Sequence, residues 1–157
     1  ATFFVTGRFA EKFPDIVAQI AEAGHEIGNH GYAHPHPDQL SVAQNQEDIQ
    51  NAETILAQLI GEKPMLYAPP YGECGESCLT AAEQCGYTTI LWTADTIDWE
   101  EPAPSHDVLV ARVTGEKLKK GAILLMHPKP HTAEALEDII LTIGEKGYTC
   151  VKVSEVL

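Results

Sequence analysis

His30 and His34 stand four residues apart in the run Gly28-Asn29-His30-Gly31-Tyr32-Ala33-His34-Pro35-His36-Pro37. Two imidazoles at this spacing reach a single metal ion if the backbone between them makes one turn, since imidazole nitrogen binds zinc at about 2.0–2.1 Å. A long helix is disfavoured. Gly31 weakens it, and Pro35 and Pro37 push His34 and His36 away from helical geometry. The run follows His25-Glu26-Ile27, whose alternation reads as a strand, so the pair is expected on a tight turn at a strand end, where α/β proteins place their chemistry. Spacing alone leaves a solvated His-rich loop as the other reading.

Two further groups have suitable chemistry. Asp95-Thr96-Ile97-Asp98-Trp99 offers two carboxylates three residues apart. Either carboxylate can accept a histidine ring N–H and so fix its tautomer, or merely cap the local turn. His127 follows the apolar run Ile123-Leu124-Leu125-Met126 and precedes Pro128. Paired with a carboxylate it is a candidate general acid or base near neutral pH; unpaired, it is a satisfied histidine at a strand end.

The elements that position these groups alternate. Strands are expected at Phe3-Phe4-Val5, Glu26-Ile27-Gly28, Met65-Leu66-Tyr67, 87–92, 122–126 and 148–153. Between them lie helices carrying Ile16, Val17 and Ile20; Ile49, Ala52, Ile55, Leu56 and Leu59; a short one over 79–84; Val108, Leu109 and Val113; and Leu136, Ile139, Ile140 and Ile143. Ser41 and Gln44 form a capping box, Gly61 closes that helix, and Ser105 and Thr132 are expected to cap two others. Regular alternation implies a parallel sheet, open or closed into a barrel. His30/His34, Pro69-Gly72, Asp95/Asp98 and His127 all follow strand ends, which a barrel would gather at one mouth.

Composition narrows the partners. Ten Lys and Arg against 23 Asp and Glu give a net charge of −13, so no basic face is visible for a nucleic acid. No apolar run approaches the length of a membrane span. The length suits one domain with a sizeable core. Cys74 and Cys78 share a loop and have the option of a small disulfide; Cys85 and Cys150 are expected to be buried thiols.

Five blocks resemble, in order and spacing, the polysaccharide deacetylases of carbohydrate esterase family 4 (CE4). They are Ala1-Thr2-Phe3-Phe4-Val5-Thr6-Gly7, Gly28 to His36, Pro69-Pro70-Tyr71-Gly72, Trp92 to Trp99, and Leu124-Leu125-Met126-His127. The resemblance covers essentially the whole chain, 1–157. It implies a distorted (β/α)7-type barrel, here lacking its first strand, and a divalent metal, zinc before cobalt or nickel. The implied activity is removal of acetyl groups from acetylated polysaccharide or oligosaccharide of the peptidoglycan or chitin type, outside the cell or at its wall. His30 and His34 resemble the histidine metal ligands, His127 the general acid, and Asp98 its orienting partner. Tyr71 resembles the residue whose backbone N–H holds the oxyanion. Pro70, Tyr71 and Trp99 match substrate-groove positions, and Leu125 the wall of the acetate-methyl pocket.

Two departures from the family pattern stand out. The family's Thr-Phe-Asp-Asp-Gly block, which supplies the catalytic base and a carboxylate metal ligand, precedes the first matched block and is not in this sequence. The chain is therefore expected to be N-terminally incomplete, with a preceding segment completing the barrel. Ala68 stands where the family most often has an arginine beside the catalytic aspartate. The alternative function is a catalytically impaired, carbohydrate-binding relative that keeps Tyr71 and Trp99; a weaker third reading is an amidase acting on a small substrate.

Overall fold

The computed structural model describes residues 1–157, which divide into two compact units, Ala1–Leu91 and Trp92–Leu157.

In the first unit a parallel four-stranded sheet is built in the order β1 (Thr2–Val5), β2 (Glu26–Asn29), β3 (Leu66–Tyr67) and β4 (Thr88–Thr89). Val5 pairs in register with Asn29, and Asn29 with Tyr67. Because the strands are parallel, the segments leaving Asn29 and Tyr67 emerge at the same edge. Helices α1 (Gly7–Lys12), α2 (Pro14–Glu22), α3 (Val42–Ile60) and α4 (Glu76–Gln84) complete this unit.

The sequence explains the helices well. Thr6 caps α1 by accepting from Phe9 N at 3.3 Å, and Pro14 opens α2, where its missing N–H costs nothing. The Ser41–Gln44 capping box starts α3, and Gly61 ends it at φ 79°. One stripe of α3, comprising Ile49, Ala52 and Leu56, is fully buried. Leu56 packs with Val5, Ala10, Val17 and Ile27, while Ile49 packs with Tyr67, Ala81, Ala82 and Tyr87. Burying Ile49 and Leu56 stabilises the unit by about 1.5–3 kcal/mol each.

The second unit holds β5 (Ala94–Asp95) paired in parallel with β6 (Leu124–Leu125), together with α5 (His106–Thr114) and α6 (Pro130–Glu145). Leu109 and Val113 of α5 pack against Ala135, Ile139 and Ile143 of α6. No helix of the chain is long and apolar enough to cross a membrane.

Several expectations need correcting. The strand expected over 87–92 pairs only at Thr88–Thr89, and the stretch after it contains β5, which was not expected. The strand expected over 122–126 is only Leu124–Leu125, half-buried rather than buried. The strand expected over 148–153 does not form: 148–152 pair with no strand and Val153 begins a 3-10 turn, and Cys150, expected to be buried, is exposed. Cys74 and Cys78 are both free thiols. Helix α4 begins at Glu76, three residues before the expected start. Helix α6 begins at Pro130 with Lys129 as its cap residue. Thr132 does not cap it, because its hydroxyl is used in the site described next. The buried stripe of α6 is Ala135, Ile139 and Ile143, which leaves Leu136 and Ile140 partly exposed.

Candidate active site

The turn after β2 is fixed from three directions. His30 N donates to Val5 O at 3.1 Å, and the start of α1 donates back through Gly7 N to Gly31 O at 3.0 Å. Asn29 is fully buried. Its Oδ1 accepts from Gly31 N at 2.8 Å, and its Nδ2 donates to Ile49 O at 3.0 Å and Tyr87 Oη at 3.1 Å. Burial pushes the Tyr87 phenol well above its ordinary range, so it stays neutral and can accept that bond.

Asp48 on α3 completes the clamp by accepting from Tyr32 N and Ala33 N, each at 3.0 Å. Gly31 has φ +73°, and a Cβ there would run into the Asp48 carboxylate. Only glycine satisfies both the backbone and the space at this position.

His30 Nδ1 lies 2.6 Å from Ala68 O. A carbonyl oxygen can only accept, so Nδ1 carries a hydrogen, and in the neutral ring the lone pair is on Nε2. The His34 ring stands edge-on to His30, with centroids 4.9 Å apart and planes at 72°. Two imidazoles bound to one tetrahedral zinc at 2.0–2.1 Å would have ring centres about 5 Å apart. Both the backbone-anchored tautomer and the ring spacing therefore fit a histidine pair of a metal site. No group of three or more His, Cys, Asp or Glu side chains suited to a metal converges in the chain. Burial pushes the thiols of Cys78 and Cys85 up.

Tyr71 lies on the segment that leaves β3. It adopts φ 60° and ψ 1°, a left-handed conformation unusual for a residue with a side chain. Its ring meets His34 edge-on at 4.6 Å and is stacked by His36 at 4.0 Å. Pro70 is buried, near Gly31.

In the second unit the two aspartates have separated roles. Asp95 Oδ1 accepts from Ile97 N at 2.9 Å and pairs with Arg112 at 3.1 Å, while Arg112 Nε donates to Asp95 O at 2.9 Å. That makes Asp95 the turn-capping carboxylate, with Ile97 held at φ 52°.

Asp98 is the histidine partner. It is fully buried and accepts at Oδ1 from His127 Nδ1 at 2.6 Å. Its Oδ2 accepts from His127 N and from the Thr132 hydroxyl, each at 2.7 Å. His131 Nε2 donates to Asp98 O at 3.0 Å. Burial alone would push the Asp98 carboxyl up, but the His127 N–H, the imidazole and the Thr132 hydroxyl outweigh it and hold the group below the usual carboxylate range. An ionised Asp98 keeps the hydrogen on His127 Nδ1, leaving Nε2 as the nitrogen that takes up or releases a proton. Trp99 is exposed and Leu125 half-buried in the same unit.

The sequence points to no role for Asn29, Asp48 or Arg112, and it points to Thr132 only as a helix cap. Asn29 was visible in the histidine run as a polar residue at the end of an apolar strand. Asp48 and Arg112 carry no local signal.

Residues 1–90 match the polysaccharide deacetylase family. The chain is 41% identical over its full length to the uncharacterized protein YlxY of Bacillus subtilis, covering 48% of that protein. It is 38% identical over 94% of its length to a peptidoglycan-N-acetylglucosamine deacetylase of Bacillus cereus, covering 54% of it. Among solved structures, wild-type BA3943, a CE4 family pseudoenzyme from Bacillus anthracis, matches with a TM-score of 0.93 and 36% identity, over 99% of this chain and 54% of that one.

The α/β fold is thus that of the CE4 proteins. The chain belongs to the polysaccharide deacetylase family, and it spans about half the length of these curated relatives.

Proposed function

We propose that the protein is a metal-dependent hydrolase that removes N-acetyl groups from acetylated cell-wall polysaccharide, acting outside the cell or at the wall. The observation that carries this reading is the Asp98–His127 pair, a buried carboxylate that fixes one nitrogen of an imidazole and leaves the other for proton transfer. The related Bacillus cereus protein is named for deacetylating peptidoglycan N-acetylglucosamine, which supports a glycan amide as substrate.

His30 and His34 would hold the divalent cation, most readily zinc, and when bound it supplies polarisation of the acetamide carbonyl and a more acidic water. As the water oxygen bonds to the carbonyl carbon, a base must take its proton. The family's base belongs to the Thr-Phe-Asp-Asp-Gly block that is not in this sequence. This chain's own residues serve the steps that follow. The N–H of Tyr71 steadies the oxygen as negative charge develops on it, a contribution worth about 3–4 kcal/mol where one such donor has been removed elsewhere. His127, held by Asp98, gives the proton from Nε2 to the departing sugar nitrogen as the carbon–nitrogen bond breaks. Products are acetate and the free amino sugar. Trp99 and Tyr71, both exposed aromatics, match the family's substrate-groove positions, and Leu125 matches the wall of its acetate-methyl pocket.

A second reading has a specific observation behind it. Position 68, beside His30, is a buried alanine rather than the family's usual arginine, and BA3943 is described as a pseudoenzyme. On this reading the protein binds the glycan without cleaving it.

Acetate release by the full-length protein from N-acetylglucosamine oligomers and from peptidoglycan, with and without a chelator, separates the two. The enzyme reading expects chelator-sensitive release that His127→Ala abolishes while metal content stays at the wild-type level. Glycan binding with no release from any substrate establishes the second reading.

A further inference from the structure

The left-handed backbone of Tyr71 needs something to hold it, because strained conformations persist only where the surroundings over-determine them. His36 supplies one support. Its ring lies flat against the Tyr71 ring, 4.0 Å between centroids and 9° between planes. That ring is itself tied down, since His36 Nδ1 is 2.8 Å from Glu73 Oε1, two residues beyond Tyr71. Two further bonds join the same segments. Asp38 N donates to Glu73 Oε2 at 3.4 Å, and Gly75 N donates to Asp38 Oδ1 at 2.7 Å. The segment that carries His34 and the one that carries Tyr71 are therefore stitched together beyond the edge of the sheet.

We propose that His36 is a positioning residue for the deacetylation reaction, its stacked ring holding Tyr71 so that the Tyr71 N–H is presented at a fixed place beside His34. This rests on the oxyanion role given to Tyr71 above. In this role His36 acts through the plane of its ring, by way of Tyr71. A flat apolar ring should therefore replace it, whereas a methyl group should not.

The test uses zinc-loaded full-length protein, N-acetylglucosamine oligomers, and the variants His36→Ala and His36→Phe. In His36→Ala, kcat should fall about tenfold or more, since the misplaced donor is needed as charge develops. Zinc affinity should stay within about twofold of wild type, because it does not depend on that donor, and the loss in kcat should exceed any change in KM. The Tyr71 backbone amide resonance should shift and exchange faster with solvent. His36→Phe should restore most of kcat and return the amide to its wild-type position.

An unmoved Tyr71 amide in His36→Ala overturns the proposal, and so does a Phe variant no better than the Ala variant. Zinc affinity falling in step with kcat overturns it too, placing the effect on the histidine pair. If the amide moves while kcat holds, the oxyanion role of Tyr71 is what fails, and the proposal falls with it. Should wild-type protein release no acetate, the deacetylase reading fails on that result alone, and the amide measurement still decides whether His36 positions Tyr71.

Discussion

His127 reaches Asp98 twice, through its ring Nδ1 to one carboxylate oxygen at 2.6 Å and through its own backbone N–H to the other at 2.7 Å. The double attachment fixes where the ring starts as well as which way it faces. Neither bond alone would do both.

Replacing Asp98 by Asn should therefore lower kcat of the full-length protein by about 10²-fold or more, because the imidazole loses the anion that fixes its tautomer and supports its protonated form. Metal content should be unchanged. Wild-type kcat in Asp98→Asn would show that the pair is structural only.

The same carboxylate predicts a pH signature in stability. Its folded-state pKa is depressed below the ordinary value of 3.8. Ionisation thus favours the folded state above the unfolded-state pKa, and that stabilisation is lost as pH falls through the lower folded value. Urea midpoints of wild type and Asp98→Asn should stay apart down to about pH 4 and converge below it. A gap that persists to the lowest pH would mean that Asp98 is not ionised in the folded protein.

Thr132→Val removes one of the three bonds to the carboxylate while keeping the side chain's shape. We expect a loss of about 1.5–3 kcal/mol, the usual range for a hydrogen bond to a charged group, measured by chemical denaturation. The midpoint of acid unfolding should also move to higher pH, since Asp98 would then be protonated more easily.

Asp48 makes the corresponding prediction for the histidine turn. Asp48→Ala leaves the Tyr32 and Ala33 N–H groups without their acceptor, so the turn that presents His30 and His34 should loosen. Zinc affinity of the full-length protein, measured by competition with a chromophoric chelator, should drop about 10–100-fold. An unchanged affinity would show that the loop is held well enough by Asn29 and the start of α1.

The sequence carried much of this in readable form. His30 and His34 were legible because their spacing, the glycine between them and the prolines after them all act locally. Helix α3 was legible for the same reason, with its Ser41–Gln44 box, its stripe of Ile49, Ala52 and Leu56, and its terminal Gly61. The short ladders were not. β4 and β6 each pair at only two residues, and whether an apolar run becomes a strand depends on a partner that local alternation does not identify.

What the chain's order of residues determined by itself is the inventory: two imidazoles on a tight turn, a pair of aspartates three apart, and a histidine after a buried-looking run. Those follow from local backbone preference and side-chain chemistry. Tertiary structure alone decided which aspartate serves which purpose, since Arg112, 17 residues from Asp95, claims one, and His127, 29 residues from Asp98, claims the other. It likewise decided that a backbone carbonyl 38 residues away sets the tautomer of His30, and that Asn29 is anchored by Tyr87, 58 residues on. A hydrogen bond depends on where two atoms meet in space, and residues so far apart in the chain meet only once the strands and helices between them have packed.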